Sequence, residues 1–332
     1  MTPEAAMPPG SPVPPPPRSR APEAAVDKAA LGDAALDDAV LATLSRLRAV
    51  VPDAADDAGA WLGRVLGPLS ASQWPEAAWR FSRLTNTGMP VEFAWSSRET
   101  AVRWTAEVAA PEAAETGRLA LAAAWLDWPL DLEPWLRMQR SAKLKYGTWI
   151  GARHSPASAH KPVSTKLYVE VPAGVALPGR EAHPLLRSEA LIWRMVGLNA
   201  DGSREYYARG PELDLACIAA MAQAVCGDGE ALTARAMLLT GGHELPRPSG
   251  ISLTLAADGA PLALTWFTFA KAIFRDDRAV STWLREQADG TSAQIYAALA
   301  AGAADGHWRH GMIGVGIDAQ RAGWVQCGLR PH

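Results

Sequence analysis

Five times along the chain, two short runs of alternating apolar and polar residues flank a turn, and helical periodicity fills the intervals between the pairs. The pairs are VEFAW (91–95) with AVRWTAEV (101–108), TWIGARH (148–154) with STKLYVEV (164–171), LIWRMVGL (191–198) with REYYARG (204–210), GISLTLAA (250–257) with APLALTWFTFA (260–270), and GMIGVGID (311–318) with WVQCGLR (324–330). Alternation at period two marks a strand, and the intervening SSRET, NADGS, DG and AQRAG are hairpin turns. Apolar spacing of three and four predicts helices over 33–50, 58–69, 74–83, 112–127, 131–143, 212–226, 229–240 and 278–304, with a helical turn near 183–188.

A lone hairpin is marginal in water and exposes two unpaired edges. Ten antiparallel strands can remove every edge by closing on themselves, and a barrel of that size can hold a ligand. The expected fold is therefore α+β: a ten-stranded antiparallel β-barrel surrounded by a ring of helices, with an open α+β sandwich as the alternative. Alternation also assigns faces. Arg103, Thr105 and Glu107 share one side of their strand, opposite Val102, Trp104, Ala106 and Val108; Lys166, Tyr168 and Glu170 oppose Leu167, Val169 and Val171. With helices to cover the apolar sides, the polar sides point into a lumen.

Composition narrows the partners. Net charge is −3 and the pI about 6.2, so there is no basic excess to bind nucleic acid. No apolar run approaches the roughly 18 residues of a membrane span, and the N-terminus lacks a secretory pattern. Cys217, Cys226 and Cys327 form no CxxC pair and read as free thiols in a reducing compartment. These features imply a soluble, cytoplasmic monomer. Residues 1–24, rich in Pro and Ala, read as a disordered tail, which leaves 25–332 as a single domain. Fourteen Trp against five Tyr and five Phe supply large aromatic faces for the core or a cavity.

The segment 84–111 carries Gly88, Pro90, Val91 and Glu92, then Val102, Arg103, Trp104 and Glu107, and the second hairpin carries Lys166-x-Tyr168. In these motifs the chain resembles the dimethylallyltryptophan synthase class of aromatic prenyltransferases, of bacterial type. The resemblance implies the prenyltransferase (ABBA) barrel of five α–β–β–α repeats. It also implies metal-independent transfer of a dimethylallyl or geranyl group from its diphosphate to an indole or tryptophan-like acceptor, as in secondary metabolism. No cofactor is then required.

By that resemblance Glu92 is the base, and Arg103, Lys166 and Tyr168 hold the diphosphate. Tyr206, Lys271 and Gln326 are further diphosphate candidates, and Trp95, Thr105, Trp193, Trp266 and Phe267 are candidates for the acceptor and prenyl pocket. The chemistry suits these residue types: fixed cations stabilise a leaving anion, and aromatic faces shield an allylic cation. The plainer alternatives are a surface or salt-bridged Glu92, and structural ion pairs of Arg103 and Lys166 with Glu107 or Glu170.

The later repeats depart from the pattern. The third offers either Arg204 with Tyr206 or Tyr207 with Arg209, and the sequence leaves the phase open. The fourth has Thr265, Trp266 and Phe267 where Lys and Tyr are typical, with Lys271 just beyond. The fifth has Cys327 and Gly328 where Tyr is usual, leaving Gln326 and Arg330 as its polar residues. Such depletion suggests a larger or peptide-borne acceptor needing an open mouth. No DDxxD motif, dinucleotide fingerprint or P-loop occurs, and His307 and His310 lack a third metal ligand of suitable spacing. A competing function is a non-catalytic barrel that binds an apolar or aromatic ligand.

Overall fold

All ten strand-like runs become strands in the computed structural model, which describes residues 36–70, 80–126, 128, 130–155, 164–302 and 308–332. They are β1 (Val91–Ser96), β2 (Val102–Glu107), β3 (Thr148–His154), β4 (Ser164–Glu170), β5 (Ile192–Asn199), β6 (Arg204–Gly210), β7 (Ser249–Leu255), β8 (Pro261–Phe269), β9 (His310–Asp318) and β10 (Gly323–Leu329). Each pairs antiparallel with its sequence neighbour, and β1 pairs with β10, setting Phe93 opposite Leu329 and Ala94 opposite Gly328. The sheet is a closed barrel, so the open sandwich is ruled out. The expected tail at 1–24 lies outside the described residues; Leu31–His332 is one compact unit.

Eight α-helices are described: α1 (Asp38–Arg48), α2 (Pro52–Ser70), α3 (Arg118–Leu126), α4 (Glu133–Arg140), α5 (Leu215–Cys226), α6 (Gly229–Thr240), α7 (Asp277–Glu286) and α8 (Gly290–Ala300). Asp37, Asp214, Asp228 and Asp276 each cap one of them by accepting a backbone N–H of the first turn. The expected long helix at 278–304 is two helices, because Asp289 is extended and Gly290 has φ +48°. Most of the expected helix at 74–83 lies outside the described residues. No described helix is long and apolar enough to cross a membrane.

The hydrophobic core lies between the barrel wall and the helices. Phe93, Trp104, Ile150, Leu167, Leu253, Trp266 and Ile317 point outward and are almost fully buried, with α2 against β2 and β3, α5 against β8, and α6 against β9. Burying each large side chain contributes roughly 1.5–3 kcal/mol, so the apolar half of every strand holds the barrel shut.

The inner face is built differently. Long side chains lie across glycines of the neighbouring strand. A Cβ on Gly151 would come within 2.8 Å of the Tyr168 ring, one on Gly197 within 2.9 Å of the Lys166 stem, and one on Gly250 within 2.6 Å of the Phe267 ring. Glycine at these points leaves the lumen hollow while its polar and aromatic side chains stay flat against the wall.

Candidate active site

Inward residues on the second strand of each hairpin fall into step around the barrel. They are Arg103, Lys166, Glu205, Thr265 and Trp324, and two residues further on Thr105, Tyr168, Tyr207, Phe267 and Gln326. A cavity of about 530 Å³ opens among them, with Glu92, Arg103, Thr105, Tyr168, Phe267 and Gln326 on its wall. Arg103 and Tyr168 also line a small inner chamber of about 30 Å³ shared with Lys166 and Arg153. Seven sequence candidates are thus brought together: Glu92, Arg103, Lys166, Tyr168, Thr105, Phe267 and Gln326.

Five are not. Tyr206 points outward and packs edge-on against Trp193, because the inward register of β6 runs through Glu205, Tyr207 and Arg209. Trp193 lies on the same outer side. Trp266 is wholly buried in the outer core, since it alternates with inward Thr265 and Phe267. Trp95 edges the cavity, yet its indole N–H donates to Ser292 on α8 and its ring packs 5.1 Å from Tyr296. Lys271 lies past the end of β8 in a short 3₁₀ turn, exposed, with its ammonium 5.8 Å from the Phe269 ring.

Glu92 pairs with Thr105 across the β1–β2 ladder, and its carboxylate has no hydrogen-bond or ion-pair partner among the described residues. It is not the salt-bridged residue of the plainer alternative. Its carboxylate fits over two glycines: a Cβ on Gly328 would come within 2.7 Å of Oε1, and one on Gly311 within 2.9 Å. Removal from bulk water, with no donor to compensate, pushes its pKa up to about 7.

At the hairpin-turn end the cations are paired. Glu99 receives Arg103 at 3.6 Å and Arg153 at 3.2 Å, and Lys166 Nζ lies 2.6 Å from Glu205 Oε2. The carboxylates considered as partners from sequence serve elsewhere. Glu107 accepts from Ser82, Arg118 and Trp149, while Glu170 accepts the backbone N–H groups of Lys145, Tyr146 and Gly147. Arg98 stacks over Trp324 at 3.7 Å beside Glu99 and Asp318.

Aromatic rings line the middle. Lys166 lies 5.6 Å from the Tyr168 ring centroid, Tyr168 lies 6.1 Å from Tyr207, and Tyr207 lies 6.4 Å from Phe267. Trp149 completes the wall, stacked on Tyr146 at 4.0 Å. At the helix-connection end the cavity wall includes Arg194 and Arg209, neither with a carboxylate partner among the described residues.

Sequence reading missed Tyr146, Trp149, Arg153, Arg194 and Glu205, whereas Arg209 with Tyr207 is the second of the two phases it left open. Alternation through TWIGARH already placed Trp149 and Arg153 on one face. Arg194 carried no such signal, because a bulge between Trp193 and Met195 breaks the period of β5. Outside the cavity, Asp276 is a helix cap, and Asp277 binds buried His310, whose other ring nitrogen meets Tyr296. His307 lies outside the described residues.

No protein-family model and no curated protein sequence matches the chain. Solved structures do match. The 5-dimethylallyl tryptophan synthase from Streptomyces coelicolor, in complex with DMASPP and Trp, is 18% identical with a TM-score of 0.68, covering 87% of this chain and 93% of that one. The fold is that of the aromatic prenyltransferases. The 6-dimethylallyltryptophan synthase from Micromonospora olivasterospora, also in complex with DMASPP and Trp, gives 17% and 0.63 over 88% and 96%. AnaPT from Neosartorya fischeri gives 10% and 0.53 over 87% and 91%. The prenyltransferase barrel expected from the opening motifs is therefore the architecture of this chain, closed through all five repeats.

Proposed function

We propose that the protein is an aromatic prenyltransferase that moves a dimethylallyl group from its diphosphate to an indole acceptor, without a metal. The observation that carries this reading is an unpaired carboxylate, Glu92, sharing one aromatic-walled cavity with Arg103, while Lys166 stands just behind in the inner chamber.

The reaction breaks the bond between the allylic carbon and the diphosphate oxygen, and the electron pair leaves with the diphosphate. Arg103 offers forked donors to that anion, Lys166 a compact charge, and Tyr168 and Gln326 neutral donors. The faces of Tyr168, Tyr207, Phe267 and Trp149 shield the allylic cation and exclude water that would quench it. A ring carbon of the acceptor attacks the cation, and Glu92 removes the proton of the resulting arenium ion, restoring aromaticity. A carboxylate with a pKa near neutrality is matched to that task.

The mouth supports a finer reading of the acceptor. A groove of about 530 Å³, lined by Ile192, Arg194, Arg209, Glu212, Arg247 and Pro248, continues outward from the cavity. Space and positive charge beyond the ring pocket suit an acceptor that carries a carboxylate and more bulk than indole, such as a tryptophan-containing peptide. Three free thiols suit work in the reducing cytoplasm.

The test is turnover of labelled dimethylallyl diphosphate with tryptophan or short tryptophan peptides, with and without EDTA. Transfer undiminished by chelator is expected. Tight binding of an apolar ligand with no release of diphosphate would instead establish a binding barrel. A finer check concerns the glycine bed of the base: Gly328→Ala pushes a methyl into Glu92, and displacing a catalytic atom by about 1 Å can cost as much as 10²-fold in rate. We expect kcat to fall at least tenfold while the melting temperature changes little, because the flexible end of Glu92 can move aside.

A further inference from the structure

The repeats superimpose two chemically opposite residues. In the second repeat an inward cation precedes the tyrosine by two residues (Lys166, Tyr168); in the third a carboxylate holds the equivalent place (Glu205, Tyr207). The two meet. Lys166 Nζ is 2.6 Å from Glu205 Oε2, Ser252 Oγ donates to Oε1 at 2.7 Å, and Tyr207 adds a further hydrogen bond. Glu205 is thus fixed from three sides with its charge turned on Lys166. These bonds hold its carboxyl down near about 2, so it is ionised at any working pH.

The consequence is electrostatic. Among the described residues that pair at the hairpin-turn end, Arg103, Arg153 and Lys166 face Glu99 and Glu205, so the two carboxylates offset most of that positive charge. An allylic diphosphate brings several negative charges to this place, and a fixed carboxylate both repels it and occupies the cation it needs. We propose that Glu205 is a built-in competitor for the donor's diphosphate, neutralising Lys166 until the substrate displaces it and so keeping affinity for the diphosphate product low. This rests on the donor site proposed above. It makes Glu205 a positioning residue, acting through Lys166 on both donor binding and product release.

Calorimetric titration with inorganic pyrophosphate provides the test, on the wild type, Glu205→Gln, Glu205→Asp, Lys166→Met and the Glu205→Gln/Lys166→Met double variant. Gln preserves the contacts to Ser252 and Tyr207 while removing the charge. Glu205→Gln is expected to bind pyrophosphate about tenfold tighter or more, Glu205→Asp to stay within about threefold of wild type, and the gain to vanish in the Lys166→Met background. In turnover, KM for dimethylallyl diphosphate should fall together with kcat, as product release slows. A merely structural pair predicts the reverse, weaker binding once Lys166 loses its anchor. Unchanged or weaker affinity in Glu205→Gln, at a wild-type melting temperature, overturns the proposal while leaving the donor site intact. Absence of pyrophosphate binding in wild type and Glu205→Gln alike would overturn the donor site and this inference together.

Discussion

Glu92→Gln is expected to lower kcat for prenyl transfer by about 10²–10⁴-fold while leaving pyrophosphate affinity within about twofold of wild type. The variant keeps the volume over Gly311 and Gly328 but cannot take the arenium proton. In the wild type kcat/KM should rise with pH through a limb near 7, set by ionisation of a carboxyl that burial holds at about 7. That limb should disappear in the variant. Stability provides an independent reading. The folded-state pKa lies above the unfolded value, so ionising Glu92 in the fold is unfavourable. The penalty is absent below about pH 4 and complete above about pH 7. Urea midpoints of wild type and variant should coincide at low pH, with the variant the more stable at pH 8. A variant that turns over normally would remove Glu92 from the chemistry.

Arg118→Met is expected to destabilise the fold by about 3–5 kcal/mol, because it strands a buried carboxylate. Arg118 at the start of α3 meets Glu107 at 2.6 Å, and both side chains are almost wholly buried. The same carboxylate accepts from Ser82 at 2.5 Å and from the indole N–H of Trp149 at 3.0 Å. One anion therefore ties together the segment before β1, the start of α3 and a ring of the cavity wall. Burial already raises the pKa of Glu107 against the pull of these donors, and losing Arg118 raises it further. A raised carboxyl pKa gives a penalty present above the unfolded value and relieved as pH falls below it. The gap between variant and wild type, followed by urea denaturation, should be widest near pH 7–8 and narrow towards pH 4. Glu107→Gln added to Arg118→Met should recover part of the loss; additive losses in the pair would refute the coupling.

Much of this protein was written locally. Each hairpin announces itself through period-two alternation and a turn, five such units demand closure, and alternation alone put Arg103, Thr105, Lys166 and Tyr168 on inner faces. Glu92 was legible only through the opening motif, since one carboxylate in VEFAW has no local signature of its isolation. What failed was phase and partnership. Tyr206 and Tyr207 are adjacent, so a one-residue difference in register exchanges lumen for core. Being aromatic makes Trp266 and Trp193 look like pocket residues, but their strands turn both outward, Trp266 into the buried core and Trp193 against Tyr206. Lys271 was recruited to supply a missing cation, and the strand ends two residues short of it.

Sequence by itself determined the elements, their repetition and the inner faces of the regular strands, because those depend on contacts a few residues apart. Tertiary structure alone decided which charges meet. Glu205 neutralises Lys166 from 39 residues away, Glu99 holds Arg153 from 54, and Gly328 clears space for Glu92 across the seam where the first strand joins the last. Charge pairing and close approach depend on distance in space, and only closing the barrel sets those distances.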